Sequence, residues 1–415
     1  MRVLFVTPYV PSRIRIRPLM FLRELARRHE VSVLTLWATA RERQDLSELM
    51  ALYPAVGVHL SSRQVLRNCL RALATGTPLQ GAYGYSPELS GLVQAAVGSS
   101  AGPDVSGSLA LRGPFDLVHV EHLRAAYLGA VIPASVPKVV DAVDCISLLL
   151  ARTRAHSHSP KQRLLAAFEL PRMRRYEPQA LGRFDAVTAT SPVDAAALRA
   201  LDPRLAPTVI TNGVDIPGST RVEAARDPDV IVFAGKMSYH ANATAACYFA
   251  RQVLPIIQAQ RPRASFHIVG SDPPREVRAL SKQPGVVVTG YVADVTSHVR
   301  QATVAVAPML VKVGVQNKVL EAMAVGTPIV ATPAGVEGLG ARPGEDLLVG
   351  SDPAELADRV LSVLGQAELR DRLAAAGRIY VDRYHRWEAI ARSLEDVYAR
   401  VVATKAPGSA AARSA

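Results

Sequence analysis

The chain has 415 residues, 49 % of them hydrophobic and only 5 % aromatic, with a net charge of +12. That length suits two domains of roughly 200 residues each, and the composition is that of a globular protein rather than a disordered or fibrous one. No run of eighteen apolar residues offers a transmembrane helix, and Cys69, Cys145 and Cys247 are too few and too scattered for a disulfide framework or a zinc site.

The apolar stretch after Met1 is too short for a signal peptide and runs at once into Pro8 and Pro11, so a cytoplasmic protein is expected. Strand-like segments follow at Arg2–Thr7, Val31–Leu36, Asp116–Val120, Lys138–Asp141 and Ala186–Thr190. Helical patterns lie between them, notably Pro18–His29 and Lys161–Leu181. Residues 99–114, rich in Gly, Ser and Pro, read as a flexible insertion. A turn at Asn212-Gly213 marks a break. The same grammar then repeats at Val230–Ala234, Ser265–Val269, Val286–Val288, Val304–Ala307, Pro328–Ala331 and Asp346–Val349. Near-continuous apolar strands joined by helices predict parallel sheets covered on both faces. The expectation is therefore an α/β chain of two Rossmann-like domains, 1–207 and 208–385, facing across a cleft. A last helix over 386–403 is followed by a disordered tail, 404–415.

In open parallel sheets, ligands bind at the carboxyl ends of the strands. Two segments fit that rule. The first runs from Gly314 through Val315, Gln316, Asn317 and Lys318 to Glu321, where a glycine opens a helix. Orphan backbone N–H groups there suit a phosphate. Lys318 adds positive charge if it faces the cleft, and Glu321 suits a ribose diol. An ordinary solvated helix face is the alternative for Glu321. The second segment is Phe233-Ala234-Gly235-Lys236, a strand ending beside a cation. Lys236 is placed to offset charge on a departing diphosphate; a merely exposed lysine is the alternative. Asp141 and Asp144 end another strand. Asp144 suits either a sugar hydroxyl or the N-cap of the next helix.

Other features carry less. Asp227-Pro228-Asp229 has the Asp-x-Asp pattern of manganese-dependent transferases, but it precedes a strand and reads as a turn. His156 and His158 read as surface, His119 and His122 as structural, and Glu169 to Glu177 as a solvated, salt-paired helix face. Arg13, Arg15, Arg17, Arg23, Arg27 and Arg28 form a dense basic cluster suited to weak, salt-screened attachment to an anionic membrane surface. No aromatics interleave with them, so nucleic acid is not expected as a partner.

In order along the chain stand Asn212-Gly213-Val214-Asp215, Phe-x-Gly-Lys, Val269-Gly270, Thr289-Gly290 and Lys318-x-x-Glu-Ala-Met-Ala-x-Gly-x-Pro-Ile-Val. This succession resembles the donor domain of retaining GT-B glycosyltransferases of family four, best over Asp202 to Arg383. The closest likeness is to sugar transferases of bacterial exopolysaccharide clusters, including exosortase-associated ones. The resemblance implies Glu321 as ribose ligand and Lys236 as diphosphate ligand. It also implies nucleobase contacts around Tyr291 and Val292, with Gly270 and Ser271 along the same channel. Three positions depart from the family pattern. Val313 stands where a second glutamate is usual, Asn242 where a second lysine is usual, and Asp144 where a histidine is usual.

The expected activity is transfer of a glycosyl unit from a nucleoside-diphosphate sugar to a glycan or lipid-linked acceptor. The resemblance implies retained configuration, and no metal or other cofactor is expected. Lys236, Glu321 and Asp144 would carry the chemistry. A nucleotide-sugar epimerase of the same fold, or a silent nucleotide-sugar-binding paralogue, are the rival readings.

Overall fold

The computed structural model describes residues 1–98, 111, 114–157, 159–216, 226–311 and 315–405. The insertion read at 99–114 and the tail read at 404–415 thus lie largely outside the described residues, but Thr404 and Lys405 belong to the last helix rather than to the tail. The chain divides into two compact units, Met1–Thr211 with Trp387–Ala415, and Asn212–Arg386.

Unit 1 holds seven parallel strands, β1 (Arg2–Thr7), β2 (Glu30–Trp37), β3 (Ala55–His59), β4 (Leu117–Glu121), β5 (Lys138–Val143), β6 (Ala186–Ala189) and β7 (Thr208–Val209). Their order is β3-β2-β1-β4-β5-β6-β7. The central strands are buried along nearly their whole length. Helices cover both faces of the sheet, which explains their unbroken apolar runs. Two strands had no signal in the pattern. β3 reads Ala-Val-Gly-Val-His with only Ala55 and Val58 buried, and β7 is two residues long. Because β7 pairs with β6, unit 1 extends past Pro207 to Thr211.

The helix Trp387–Lys405 belongs to unit 1 and buries Trp387, Ile390, Leu394, Val397, Tyr398 and Val401. Trp387 meets Phe21 edge-on, with ring centroids 5.8 Å apart. Tyr398 and His119 share a hydrogen bond of 2.8 Å between the phenol oxygen and Nδ1. Glu395 receives both Arg28 at 2.8 Å and His29 at 2.9 Å.

Two acidic residues expected on a solvated helix face are buried instead. Glu177 accepts the N–H groups of Ile146 and Ser147 at 2.7 and 2.9 Å, so it caps the helix Ile146–His156. Glu169 likewise accepts the N–H of Leu79 at 2.7 Å, at the start of Leu79–Ala82. Helix N-termini leave orphan donors, and a buried one needs an acceptor from somewhere in the fold.

Unit 2 holds six parallel strands, β8 (Asp227–Ala234), β9 (Ser265–Val269), β10 (Val286–Gly290), β11 (Ala302–Ala307), β12 (Ile329–Ala331) and β13 (Leu348–Val349). Their order is β10-β9-β8-β11-β12-β13. Asp227 and Asp229 sit within the first residues of β8 rather than in a free turn. Asp229 is ion-paired there with Arg261 at 2.6 Å and Arg263 at 3.4 Å. Among the described residues no helix is long and apolar enough to cross a membrane.

Candidate functional site

In unit 2 the carboxyl ends of β8 and β9 meet backbone to backbone. Gly235 N–H donates to Val269 O at 2.9 Å, and Met237 N–H to Ser271 O at 2.9 Å. Gly235 has φ +158° and Gly270 φ +150°. A Cβ at Gly270 would overlap the carbonyl oxygen of Gly235 and lie 2.8 Å from its carbonyl carbon. Only glycine permits this approach. It leaves Lys236 exposed on the turn directly after β8.

Asn242 is buried beneath that turn and donates to Lys236 O at 2.9 Å. Its amide oxygen accepts from Lys318 Nζ at 3.1 Å, and Gln316 Oε1 accepts from the same ammonium at 2.8 Å. Asn242 therefore holds the turn and Lys318 together rather than supplying a second cation. Gln316 is the N-cap of the helix Asn317–Ala324, yet its side chain makes no capping bond. It is committed to Lys318 instead. Asn317 receives Asn212 Nδ2 at 2.9 Å on its side-chain oxygen, and Val315 packs into the apolar layer beneath.

Among the described residues the Lys318 ammonium thus meets neutral groups, the two amide oxygens, the Met309 sulfur at 4.0 Å and, at 5.6 Å, the ring of Phe233. Burial lowers its pKa to about 8, against a smaller opposing effect of Glu321. Glu321 lies one turn further along the helix, with its side chain exposed and so reachable by a ligand. It is crowded enough that desolvation raises its pKa, while Lys318 pulls it down. A desolvated cation without a carboxylate in contact among the described residues is suited to an anion.

The fold brings Gly235, Lys236, Gly270, Val315, Gln316, Asn317 and Lys318 together, with Glu321 adjacent. Tyr291 and Val292 follow β10, whose last residue, Gly290, accepts from Gly270 N–H at 3.2 Å. Tyr291 is 74 % exposed, whereas Val292 packs against the unit's apolar core. Gly314 and Val313 lie outside the described residues, as do His158 and the side chain of His156.

Asp144 belongs to unit 1. It follows β5, where Val143 adopts φ +66°, and its carboxylate accepts from Thr190 Oγ1 at 3.3 Å. Capping is excluded: Glu177 and Asp194 take the N–H groups of Cys145, Ile146 and Ser147. Desolvation first, then Asp194, raises the Asp144 pKa to about 6. Neighbouring Asp141 is fully buried and bound by Arg17 at 2.7 Å and Thr188 at 2.9 Å. Among the described residues it forms, with His119 and Glu121, a group close enough to ligate a metal, but its charge is already met by Arg17. His119 stacks on Phe5 at 4.3 Å, and His122 accepts from Arg124 N–H at 3.2 Å, so both serve the local structure.

A pocket of about 430 Å³ also opens in unit 1, lined by Tyr9, Arg15, Trp37, Glu42, Tyr83 and Arg124 among others. Arg15 is paired with Glu42 at 3.1 Å. Arg124 stands 5.7 Å from the Tyr83 ring centroid, and its Nε has no hydrogen-bond partner. The pocket has no local signature, because its residues come from the segments after β1, β2, β3 and β4 with no common spacing.

The N-terminal arginines are mostly engaged within the unit. Arg17 is buried against Asp141, Arg23 and Arg27 hold Glu24, Arg15 holds Glu42, and Arg28 holds Glu395. Five of the six thus meet a carboxylate, while Arg13 is exposed.

Residues 228–366 match the family described as glycosyl transferases group 1. No curated protein matches the chain by sequence. Among solved structures, the fold is similar to that of HepE from Anabaena, determined with UDP and glucose. The TM-score is 0.65 and the identity 16 %, over 96 % of this chain and 100 % of that one. Sucrose-phosphate synthase of Thermosynechococcus elongatus gives a TM-score of 0.64 at 16 % identity, over 97 % and 100 %. TarM of S. aureus, determined with fondaparinux, alpha-GlcNAc-glycerol and UDP, gives 0.63 at 9 % identity, over 96 % and 100 %. The fold is that of the GT-B glycosyltransferases.

Proposed function

We propose that the chain transfers a sugar from a nucleoside diphosphate to a hydroxyl of a glycan or lipid-linked acceptor. The observation that carries this reading is Lys318, a desolvated ammonium held by neutral side chains beside the glycine-built turn that presents Lys236. Two cations and a helix start whose N-cap side chain makes no capping bond suit a diphosphate, and accessible Glu321 suits the ribose hydroxyls. UDP in the HepE and TarM structures and the group 1 match over residues 228–366 support the same assignment.

Charge on the departing diphosphate grows as the sugar–phosphate bond breaks, so Lys236 and Lys318 favour the transition state over the bound substrate. No metal enters this scheme, because the lysines meet the diphosphate charge. Asp144, whose pKa is pushed to about 6, is ionised at neutral pH and suited to a sugar hydroxyl or to developing oxocarbenium charge. The pocket of unit 1, with stacking aromatics and the underused Arg124, suits the acceptor. Retention of configuration and a role in exopolysaccharide synthesis follow from the family resemblance and form part of the proposal.

Incubation with UDP-, GDP-, ADP- and CDP-sugars and candidate acceptors, in EDTA, tests the reading. Glycosylated product from one donor is expected, with the anomer of the donor preserved. Epimerised sugar without an acceptor would replace the transferase by an epimerase. Activity restored only by manganese would remove the two lysines from their role.

A further inference from the structure

We infer that the helix Ser62–Thr75 is the face by which unit 1 lies on an anionic lipid bilayer. Three leucines project outward from it, Leu66 at 61 %, Leu70 at 58 % and Leu73 at 51 % exposure. Their i, i+4, i+7 spacing makes one continuous stripe. The helix is anchored by its other side, where Asn68 and Ala72 are buried and Val65 packs on the core. The leucines are therefore left over after the fold has been satisfied, and no described residue covers them.

Arg63, Arg67 and Arg71 form a second exposed stripe beside the leucines. The helix contains no Asp or Glu, and no carboxylate among the described residues pairs with these arginines. Ser61 caps its first turn, accepting from Gln64 N–H at 3.2 Å, and Gly76 ends it in the left-handed conformation. The helix is thus formed before any partner arrives. An apolar stripe flanked by guanidinium groups matches a helix lying in the membrane plane, leucines among acyl chains and arginines at phosphates.

A second copy fits less well. Three leucines fall short of the roughly 800 Å² per partner that a stable contact needs. A two-fold contact would also bring arginines of one copy against those of the other. Cys69, on the same helix, lines the pocket assigned to the acceptor, so a bilayer beneath this helix lies close to that pocket. The inference does not depend on the transferase reading.

The test is co-sedimentation of the full chain with phosphatidylcholine vesicles, with and without phosphatidylglycerol. Binding is expected only with the anionic lipid, and it should weaken as salt rises. Leu66→Gln/Leu70→Gln/Leu73→Gln should melt like the parent and bind at least about tenfold less. Arg63→Gln/Arg67→Gln/Arg71→Gln should lose about tenfold or more and most of the salt dependence. Equal sedimentation of parent and both variants, or no binding by the parent, would overturn the assignment. A parent dimer that the leucine variant dissociates, without vesicle binding, would give the face to a second copy instead.

Discussion

A chain ending at Arg386 is expected to lose the fold of unit 1. The deleted helix fills a core also lined by Phe5, Phe21, Leu22 and Leu25. Six of its large apolar side chains are buried, and at about 2 kcal/mol each the loss is on the order of 10 kcal/mol. That rivals the whole stability of a domain, about 5–15 kcal/mol. Lost besides are the Tyr398–His119 hydrogen bond, the Glu395 pairs and the contacts of Lys405 Nζ with Ala134 O and Asp185. Limited proteolysis should find residues 1–211 rapidly cut while residues 212–386 persist. A truncated protein that melts with the parent would contradict the placement of this helix.

Gly270→Ala is expected to disrupt unit 2 almost as strongly. Its Cβ meets the backbone of Gly235, which cannot rotate away as a side chain can. Overpacking and a disfavoured φ together cost about 3–5 kcal/mol, or roughly 10 °C in the melting of a domain this size. The displaced turn carries Lys236, so nucleotide binding should fall with stability. Gly290→Ala is the control: φ is +69°, but nothing lies within 4 Å of the added carbon. It should cost only about 1 kcal/mol. Equal melting shifts in the two variants would mean that the strand ends do not abut as described.

The parts of this molecule that were legible beforehand are those encoded locally. Apolar runs flanked by helical patterns announced the central strands of both sheets. Gly235-Lys236 and the Lys318-x-x-Glu321 helix carry their meaning within a few residues. What stayed hidden depends on partners far along the chain. Glu177 looked solvated because the N–H groups it caps lie 30 and 31 residues away. Arg17 looked like surface because Asp141 is 124 residues distant. By sequence Asp144 suits capping or chemistry equally, and only Glu177 and Asp194, 31 and 49 residues from the N–H groups of Ile146 and Cys145, separate the two by taking the capping role. Asn242, noted as a missing lysine, proved to be the residue that ties Lys318 to the turn of Lys236. The outward stripe of Leu66, Leu70 and Leu73 had the spacing of a core helix, and spacing alone does not say which face the fold covers.

Calorimetric titration of nucleoside diphosphates in EDTA tests most directly whether unit 2 is a donor site. One of UDP, GDP, ADP and CDP should bind clearly, and Glu321→Ala should weaken it about 10- to 100-fold, as expected for a charge-assisted hydrogen bond. The pH dependence has a definite sign. The Lys318 pKa is lowered to about 8, so the charged form prevails below that pH and is lost above it. A bound diphosphate raises that pKa, and affinity should therefore fall roughly tenfold from about pH 7 to about pH 9. Affinity unchanged across that range and in Glu321→Ala, or no binding of any of the four, would contradict the account.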